Sequence, residues 1–418
     1  ETVQKVYNNA PDQVAESILE VNSAGRLERD QQGYLNLFNY NYWASPVSAW
    51  PNTTANNADY LLSEVLWDGS VSSLPIGIEW IHAEHFPLVA DDRPDPSLNC
   101  GIDTPGLYCQ MRYSTEGVGG DGITSIQLND YWLNMYINRP ADDYYQWEHI
   151  VPPAPRYPIR NEKTIPVGNG YTMKGSGAGQ LPGTLAWPVG TPADPKETQN
   201  YVFIGKPHNN TITTQVGPGN SALIGNPYPS AIDAYEFILD HIPGGNPGSN
   251  ASITGTLYFW EHYVNNNTHT TVNYSGGYAL LNLTGPELSV QHPLLTGGLE
   301  DPQKMPEYTI PVGQSFFVDA AASQGSTNIE FYNKYRKFQR ETGADNIEDG
   351  GSIFFRSSNT KNTNSPPPAE QDLIKRVRIT FTTPEGYVRY LLLGFVPNNG
   401  ATDGFDYGYD AVLADPLK

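Results

Sequence analysis

The sequence has few cysteines, few basic residues and no long apolar stretch. Its 418 residues include two cysteines and 24 lysines and arginines against 45 aspartates and glutamates, so the formal net charge is −21. Such a surface repels phosphate backbones, which disfavours nucleic-acid binding. Because no run of about 18 apolar residues occurs, the sequence predicts no membrane-spanning helix.

Glycine, proline and tyrosine are abundant instead, at 40, 35 and 27 residues. This composition favours short strands joined by many turns over a helical bundle. A hydrophobic content of 38% is enough for packed cores in a chain long enough for two or three domains. We therefore predict an all-β protein of tandem β-sandwiches or jelly rolls with few short helices.

An internal repeat organises the chain. Ile165-Pro-Val-Gly168 recurs as Ile310-Pro-Val-Gly313, at a spacing of 310 − 165 = 145 positions, and three further segments recur in the same order. Such recurrence indicates a duplication. The predicted units are an N-terminal segment (1–29), a first β-domain containing an insertion with both cysteines (30–210), a second β-domain (211–342) and a C-terminal β-unit (343–418).

The stretch from Ala222 to Asp233 is predicted to form a fixed corner in the second copy. An apolar strand should end at the Gly-Asn-Pro break, because proline cannot continue a hydrogen-bonded ladder. Ser230 is then expected to cap a short helix that buries one face. In the last unit, 376–382 and 387–395 are predicted to pair as a hairpin around the turn at 383–386.

The two cysteines, Cys100 and Cys109, flank a turn-rich loop. A disulfide that closes this loop is our first interpretation, and it would imply an oxidising compartment. The alternative is two unrelated thiols. A zinc site would need more ligands nearby.

The densest acidic pattern is Asp403, Asp406 and Asp410, separated by glycines and aromatic residues. Glycines let a loop fold around a hard cation, so these carboxylates are candidate calcium ligands, although the spacing is not that of an EF-hand. The alternative is that they cap turns. Calcium is the only cofactor that the sequence suggests.

We expect no enzymatic activity. The histidines of His82-Ala-Glu-His85 do not have the spacing of a zinc protease, and no nucleophile elbow occurs. A glycosidase carboxylate pair is defined by separation in space, which sequence does not give. Trp50, Trp67 and Trp80 could stack on sugar rings, but most tryptophans in β-proteins belong to the core.

Several stretches together resemble a known class of proteins. They are 27–33, 38–47, 170–175, 200–207, 223–233, 255–262, 310–318, 355–359 and 404–411. In this combination they resemble the region upstream of the C-terminal sorting domain in large secreted or cell-surface proteins of the Bacteroidota, exported by the type IX secretion system. The resemblance implies an extracellular or outer-surface location and brings no catalytic motif. The insertion with the two cysteines is not part of that pattern.

The leading functional hypothesis is a non-enzymatic structural or adhesin module. Its partners would be glycans, other cell-surface components or copies of itself, besides the secretion machinery. The alternative is a glycan-binding accessory module of a secreted polysaccharide-degrading protein. An aromatic strip with polar neighbours would favour the alternative, whereas contacts through sheet edges would favour assembly.

Overall fold

The protein is built from short strands and two short α-helices in the part of the chain that the structure describes. The computed structural model describes residues 6–7, 14–15, 22, 24–34, 39–50, 57–69, 76–81, 127–129, 132–137, 146–150, 162–175, 198–262, 276–289, 305–321, 328–338, 373–384, 388–397 and 400–412. Almost all strand pairs are antiparallel, and the predicted all-β class is confirmed.

The bounds of the elements follow in chain order. The strands are β1 (Val6–Tyr7), β2 (Val14–Ala15), β3 (Leu27–Tyr34), β4 (Tyr40–Trp43), β5 (Val47–Ser48), β6 (Leu66–Asp68), β7 (Ile76–Gly77), β8 (Glu79–Ile81), β9 (Gln127–Asn129), β10 (Asn134–Tyr136), β11 (Trp147–His149), β12 (Tyr171–Lys174), β13 (Thr198–Pro207), β14 (Ile212–Gln215), β15 (Ser221–Gly225), β16 (Ala231–Asp233), β17 (Ile253–His262), β18 (Gly276–Asn282), β19 (Gly285–Glu287), β20 (Thr309–Ile310), β21 (Ser315–Ala320), β22 (Asn328–Phe331), β23 (Arg336–Lys337), β24 (Lys375–Thr382) and β25 (Val388–Phe395). The helices are α1 (Leu62–Val65) and α2 (Ala234–His241), and a 3₁₀ turn spans Asn333–Tyr335.

Two sheets have the same strand order. The first runs β11-β10-β12-β4, and the second runs β18-β17-β21-β15 and ends with β19 beyond β18. Outside these two sheets, the first strand of each copy pairs with its last strand: β3 with β13 in the first copy and β14 with β22 in the second. The structure therefore repeats the order that the sequence repeat predicts. By the same order, β18 takes the place of β11 in the second copy.

The two copies interlock through their repeated turns. Ala44 N donates to Gly313 O at 2.8 Å, and Gly225 N donates to Gly168 O at 3.0 Å. Gly168 and Gly313 are the last residues of the two Ile-Pro-Val-Gly turns, and both have the positive φ that glycine adopts without strain. The turn of each copy thus bonds to the end of β4 or β15 in the other copy. Because these bonds are reciprocal, the copies are related by an approximate twofold axis.

Two hydrophobic cores lie on opposite sides of this joint. The first copy buries Trp43, Tyr171 and Phe203, and the second buries Phe237 and Phe316, among others. Fully burying a large apolar side chain contributes roughly 1.5–3 kcal/mol relative to exposure, so these cores supply most of the driving force for folding. We expected β-sandwiches that follow one another along the chain. The structure instead shows two copies joined by backbone hydrogen bonds between their turns and strands.

Asp233, and not Ser230, caps the helix of the predicted corner. Its carboxylate accepts from Tyr235 N at 2.9 Å and Glu236 N at 3.4 Å, and α2 begins at Ala234. The Ser230 hydroxyl instead accepts from Arg336 Nε at 3.1 Å. The three residues before the helix are engaged in β16, which pairs with two other strands, so the helix starts later than its local sequence suggests.

The C-terminal hairpin forms as predicted. β24 pairs with β25 in continuous register from Lys375 opposite Phe395 to Thr382 opposite Val388. Its inner face lies against β19 and the turn before it, where Arg376 Nε donates to Thr284 O and Arg378 Nη2 donates to Pro286 O at 3.0 Å.

Candidate functional site

An aromatic surface covers the joint between the two copies. Successive side chains of a strand point to opposite faces, so each sheet turns one face to its own core and the other outward. At the joint the outward faces of both sheets form a single cluster of rings. We call this cluster the aromatic face, and its members are Tyr40, Tyr42, Tyr136, Trp147, Tyr258, Trp260, Tyr278 and Phe317.

The rings pack across the approximate twofold axis. The Tyr42 and Phe317 centroids are 5.4 Å apart at an interplanar angle of 80°, and Tyr136 lies 4.9 Å from Phe317. The Tyr40 and Trp260 rings stack, at 5.6 Å and 11°. These offset and edge-to-face geometries are the ones that aromatic quadrupoles favour, and each pair adds about 1 kcal/mol. The surface is therefore a fixed arrangement.

Several of these rings remain partly exposed. Tyr40, Tyr136, Trp147, Trp260 and Tyr278 are half-buried, whereas the other members are buried. The aromatic face is therefore partly open to solvent on both sheets. A fixed surface of this kind offers apolar contact to a ligand without ordering cost.

Polar groups of the aromatic face are held by each other. The hydroxyls of Tyr42 and Tyr278 lie 2.7 Å apart. Burial raises the pKa of Tyr278 to about 12 and holds that of Tyr42 well above its usual value, so both phenols stay protonated at neutral pH. His262 Nε2 accepts from Trp260 Nε1 and from Tyr40 N, each at 3.0 Å, which fixes the stacked pair.

Charged groups of opposite sign flank the aromatic face. Lys174 stands opposite Tyr40 in the register of β12 and β4, and Asp319, 145 positions later, stands opposite Ser221 in the second copy. The ammonium of Lys174 lies 3.4 Å from the Trp132 ring centroid, and burial lowers its pKa. Asp319 Oδ1 accepts from Ser221 Oγ at 2.6 Å. The duplicated position thus holds a buried lysine in the first copy and a half-buried aspartate in the second.

The tryptophans singled out from sequence lie elsewhere. Trp50 is half-buried beneath the Arg26 guanidinium, which is 4.9 Å from its ring centroid. Trp67 is half-buried on β6, and the side chain of Trp80 lies outside the described residues. The sequence signal for the aromatic face was the placing of aromatic residues on both faces of a strand, as at Tyr42 and Trp43.

The acidic loop uses its carboxylates internally. Asp406 accepts from Thr402 N at 2.7 Å and from Thr402 Oγ1 at 2.6 Å, which holds the pKa of Asp406 below its usual value. Asp410 Oδ2 accepts from Asp406 N at 2.9 Å, while Asp403 is exposed. Within the described ranges no group of three or more His, Cys, Asp or Glu side chains could hold a metal ion. The arrangement matches the turn-capping alternative for this loop.

Other predicted sites cannot be placed. Cys100, Cys109 and the segment 82–85 lie outside the described residues, so the disulfide stays a prediction. Among the helices that the structure describes, none is long and apolar enough to cross a membrane.

Fold and site together define a duplicated all-β protein with an aromatic surface at the joint of its copies. The chain belongs to the family described as Domain of unknown function (DUF8693), whose family model matches residues 127–416. That match extends from β9 in the first copy to the acidic loop, so it includes both Ile-Pro-Val-Gly turns and the hairpin but not β4 of the first copy. No curated protein and no solved structure matches the chain.

Proposed function

We propose that this protein is a non-enzymatic adhesin module that contacts glycans through the aromatic face. The observation that carries the proposal is the set of half-buried tyrosines and tryptophans on one fixed surface, contributed by both copies. Aromatic rings provide apolar contact for the C–H faces of sugars, and their polar tips hydrogen-bond to hydroxyls. Ligand sites also occur preferentially where domains meet.

The flanking charges fit the same ligand class. A neutral saccharide presents hydroxyls, which both donate and accept hydrogen bonds. Half-buried Asp319 provides an acceptor beside the aromatic face in the second copy. The resemblance of the sequence to type IX-exported proteins supports a location on the outer cell surface or in the medium, where such ligands occur.

A glycan array probed with the full 418-residue chain tests the proposal. We expect saturable binding to one glycan class and a loss of roughly tenfold in affinity, or about 1.4 kcal/mol, for Trp147→Ala. Trp50→Ala is the matched control, because it truncates a half-buried tryptophan away from the aromatic face. Asp319→Asn keeps the side-chain shape and should also weaken binding. A blank array, or equal binding by the Trp147 and Trp50 variants, would refute glycan recognition at this surface.

The same surface supports a second candidate, an accessory glycan-binding module of a polysaccharide-degrading protein. Binding to soluble polysaccharide fragments as strong as binding to intact cell surfaces would favour this alternative. Preference for intact surfaces would favour the adhesin.

A further inference from the structure

The outer face of the C-terminal hairpin is apolar and exposed. Opposite residues of an antiparallel pair share a face, and Val377 stands opposite Leu393, and Ile379 opposite Leu391. Six apolar side chains on this face are between 43% and 62% exposed; they are Val377, Ile379, Phe381, Leu391, Leu393 and Phe395. We call this set the hairpin face. Apolar patches of a few hundred Å² on a protein surface often serve a function, so the hairpin face is a candidate contact site.

Cations lie at both ends of the hairpin face. Lys375 stands opposite Phe395 at one end, and Arg389 stands opposite Phe381 at the other. The described residues of the hairpin contain four basic and no acidic side chains, in a chain of net charge −21. Its partner should therefore present apolar groups flanked by carboxylates.

Such a surface lies beside the hairpin in the same chain. The acidic loop, residues 400–412, exposes Phe405 by 44% and Val412 by 66%, together with Asp403 and Asp410. Thr284 joins both features, since its carbonyl accepts from Arg376 and its hydroxyl donates to Tyr409 O at 2.8 Å. The hairpin and the acidic loop therefore contact the same residue, and one chain carries both a basic apolar surface and an acidic apolar surface.

We propose that two copies of this chain associate about a twofold axis, the hairpin face of each covering the acidic loop of the other. A twofold interface uses the same patch on both subunits and needs a patch that complements itself. Hairpin and loop together meet that requirement, whereas the hairpin face against itself would bring like charges together.

The area of the patch sets the strength of this association. An eight-residue strand pair measures about 26 Å by 10 Å, so the hairpin face covers roughly 260 Å². Stable interfaces bury about 800 Å² per partner. The hairpin face is well below that size, and the loop adds the exposed side chains of Phe405 and Val412, so the dimer should dissociate on dilution.

Sedimentation velocity over a range of concentrations tests the proposal on the full chain. We expect a reversible monomer–dimer equilibrium. Ile379→Ser, on the exposed hairpin face, should weaken dimerisation at least tenfold, whereas Phe338→Ser, at a 61% exposed position just after β23, should not. Both substitutions are at exposed positions, and melting curves will show that the fold is retained. A monomer at every concentration, or equal effects of the two variants, would overturn the proposal.

A charge exchange tests the pairing of hairpin with loop. Lys375→Glu and Asp403→Lys should each weaken dimerisation, and the double variant should recover it, because the two charges would again be opposite. A double variant as weak as the single ones would contradict the pairing. Assemblies that grow beyond two copies would contradict the closed twofold arrangement.

The inference goes beyond the proposed adhesion. The hairpin and acidic loop share no residue with the aromatic face, so glycan binding and dimerisation can fail separately.

Discussion

His208 is a buried histidine that ties the two copies together. Its Nδ1 donates to Pro227 O at 3.1 Å in the second copy, and its Nε2 lies 2.8 Å from Ser48 Oγ in the first. Burial lowers the pKa of His208 from 6.5 to about 4, so the imidazole is neutral in the folded chain at neutral pH. The stability of the contact between the copies should therefore depend on pH through His208.

The sign of this linkage gives a prediction. Between pH 6.5 and 4 the unfolded chain binds a proton at His208 that the folded chain does not, so the free energy of unfolding should fall as the pH decreases. The contribution is about 3 kcal/mol if the full difference in pKa applies. Urea unfolding at several pH values should show a smaller loss for His208→Asn than for the unmodified chain.

Comparison of the two proteins removes the carboxylate titrations that they share. His241 is also buried with a lowered pKa, so part of the pH dependence should persist in the variant. Identical pH profiles for the two proteins would show that His208 does not titrate in this range.

The elements show where local sequence is sufficient. The hairpin of β24 and β25 was predictable, because period-two alternation and turn residues lie within one short segment. The start of α2 was not, because the residues after Pro229 are engaged in β16 by strands about 80 and 105 residues away along the chain. Strand pairing over such distances leaves no local pattern.

Two equivalent positions at the joint differ in sequence: Gly170, just before β12, and Ser315, at the start of β21. Gly170 and Ser315 are 145 positions apart, and Ser315 Oγ donates to Trp43 O at 2.7 Å. A Cβ atom on Gly170 would lie 2.7 Å from Ser315 Oγ and 2.6 Å from Leu223 Cγ. Only one copy can therefore carry a side chain here.

We expect Gly170→Ala to destabilise the protein by about 1–3 kcal/mol, the usual cost of overpacking. Urea unfolding measures this cost. In a Ser315→Gly background the cost should fall, because one of the two close neighbours is removed. An equal cost in both backgrounds would mean that Gly170 and Ser315 do not compete for the same space.

On the scale of the whole molecule, the duplication was visible in the sequence and the interlocking was not. The two Ile-Pro-Val-Gly turns identify the repeat, but the bonds that join the copies run between backbone atoms of Ala44, Gly168, Gly225 and Gly313. Backbone bonds do not depend on side-chain identity, so sequence cannot show whether a turn serves its own copy or the other. The aromatic face was missed because its rings come together only where the two sheets meet.

Interlocking predicts that the copies depend on each other for folding. If residues 1–210 and 211–418 are produced as separate chains in one cell, they should assemble into a 1:1 complex, because each half lacks the turn that completes its first sheet strand. Either half alone should aggregate or stay unfolded. Co-purification through a tag on one half, followed by light scattering, measures the assembly. Ala44→Arg in the first half is the control and should prevent assembly. Ala44 is buried, and its Cβ is so close to Gly225 that a Cβ atom on that glycine would lie 2.5 Å away. Two halves that fold alone and do not bind each other would show that the reciprocal bonds contribute little, and that the duplicated units are independent domains.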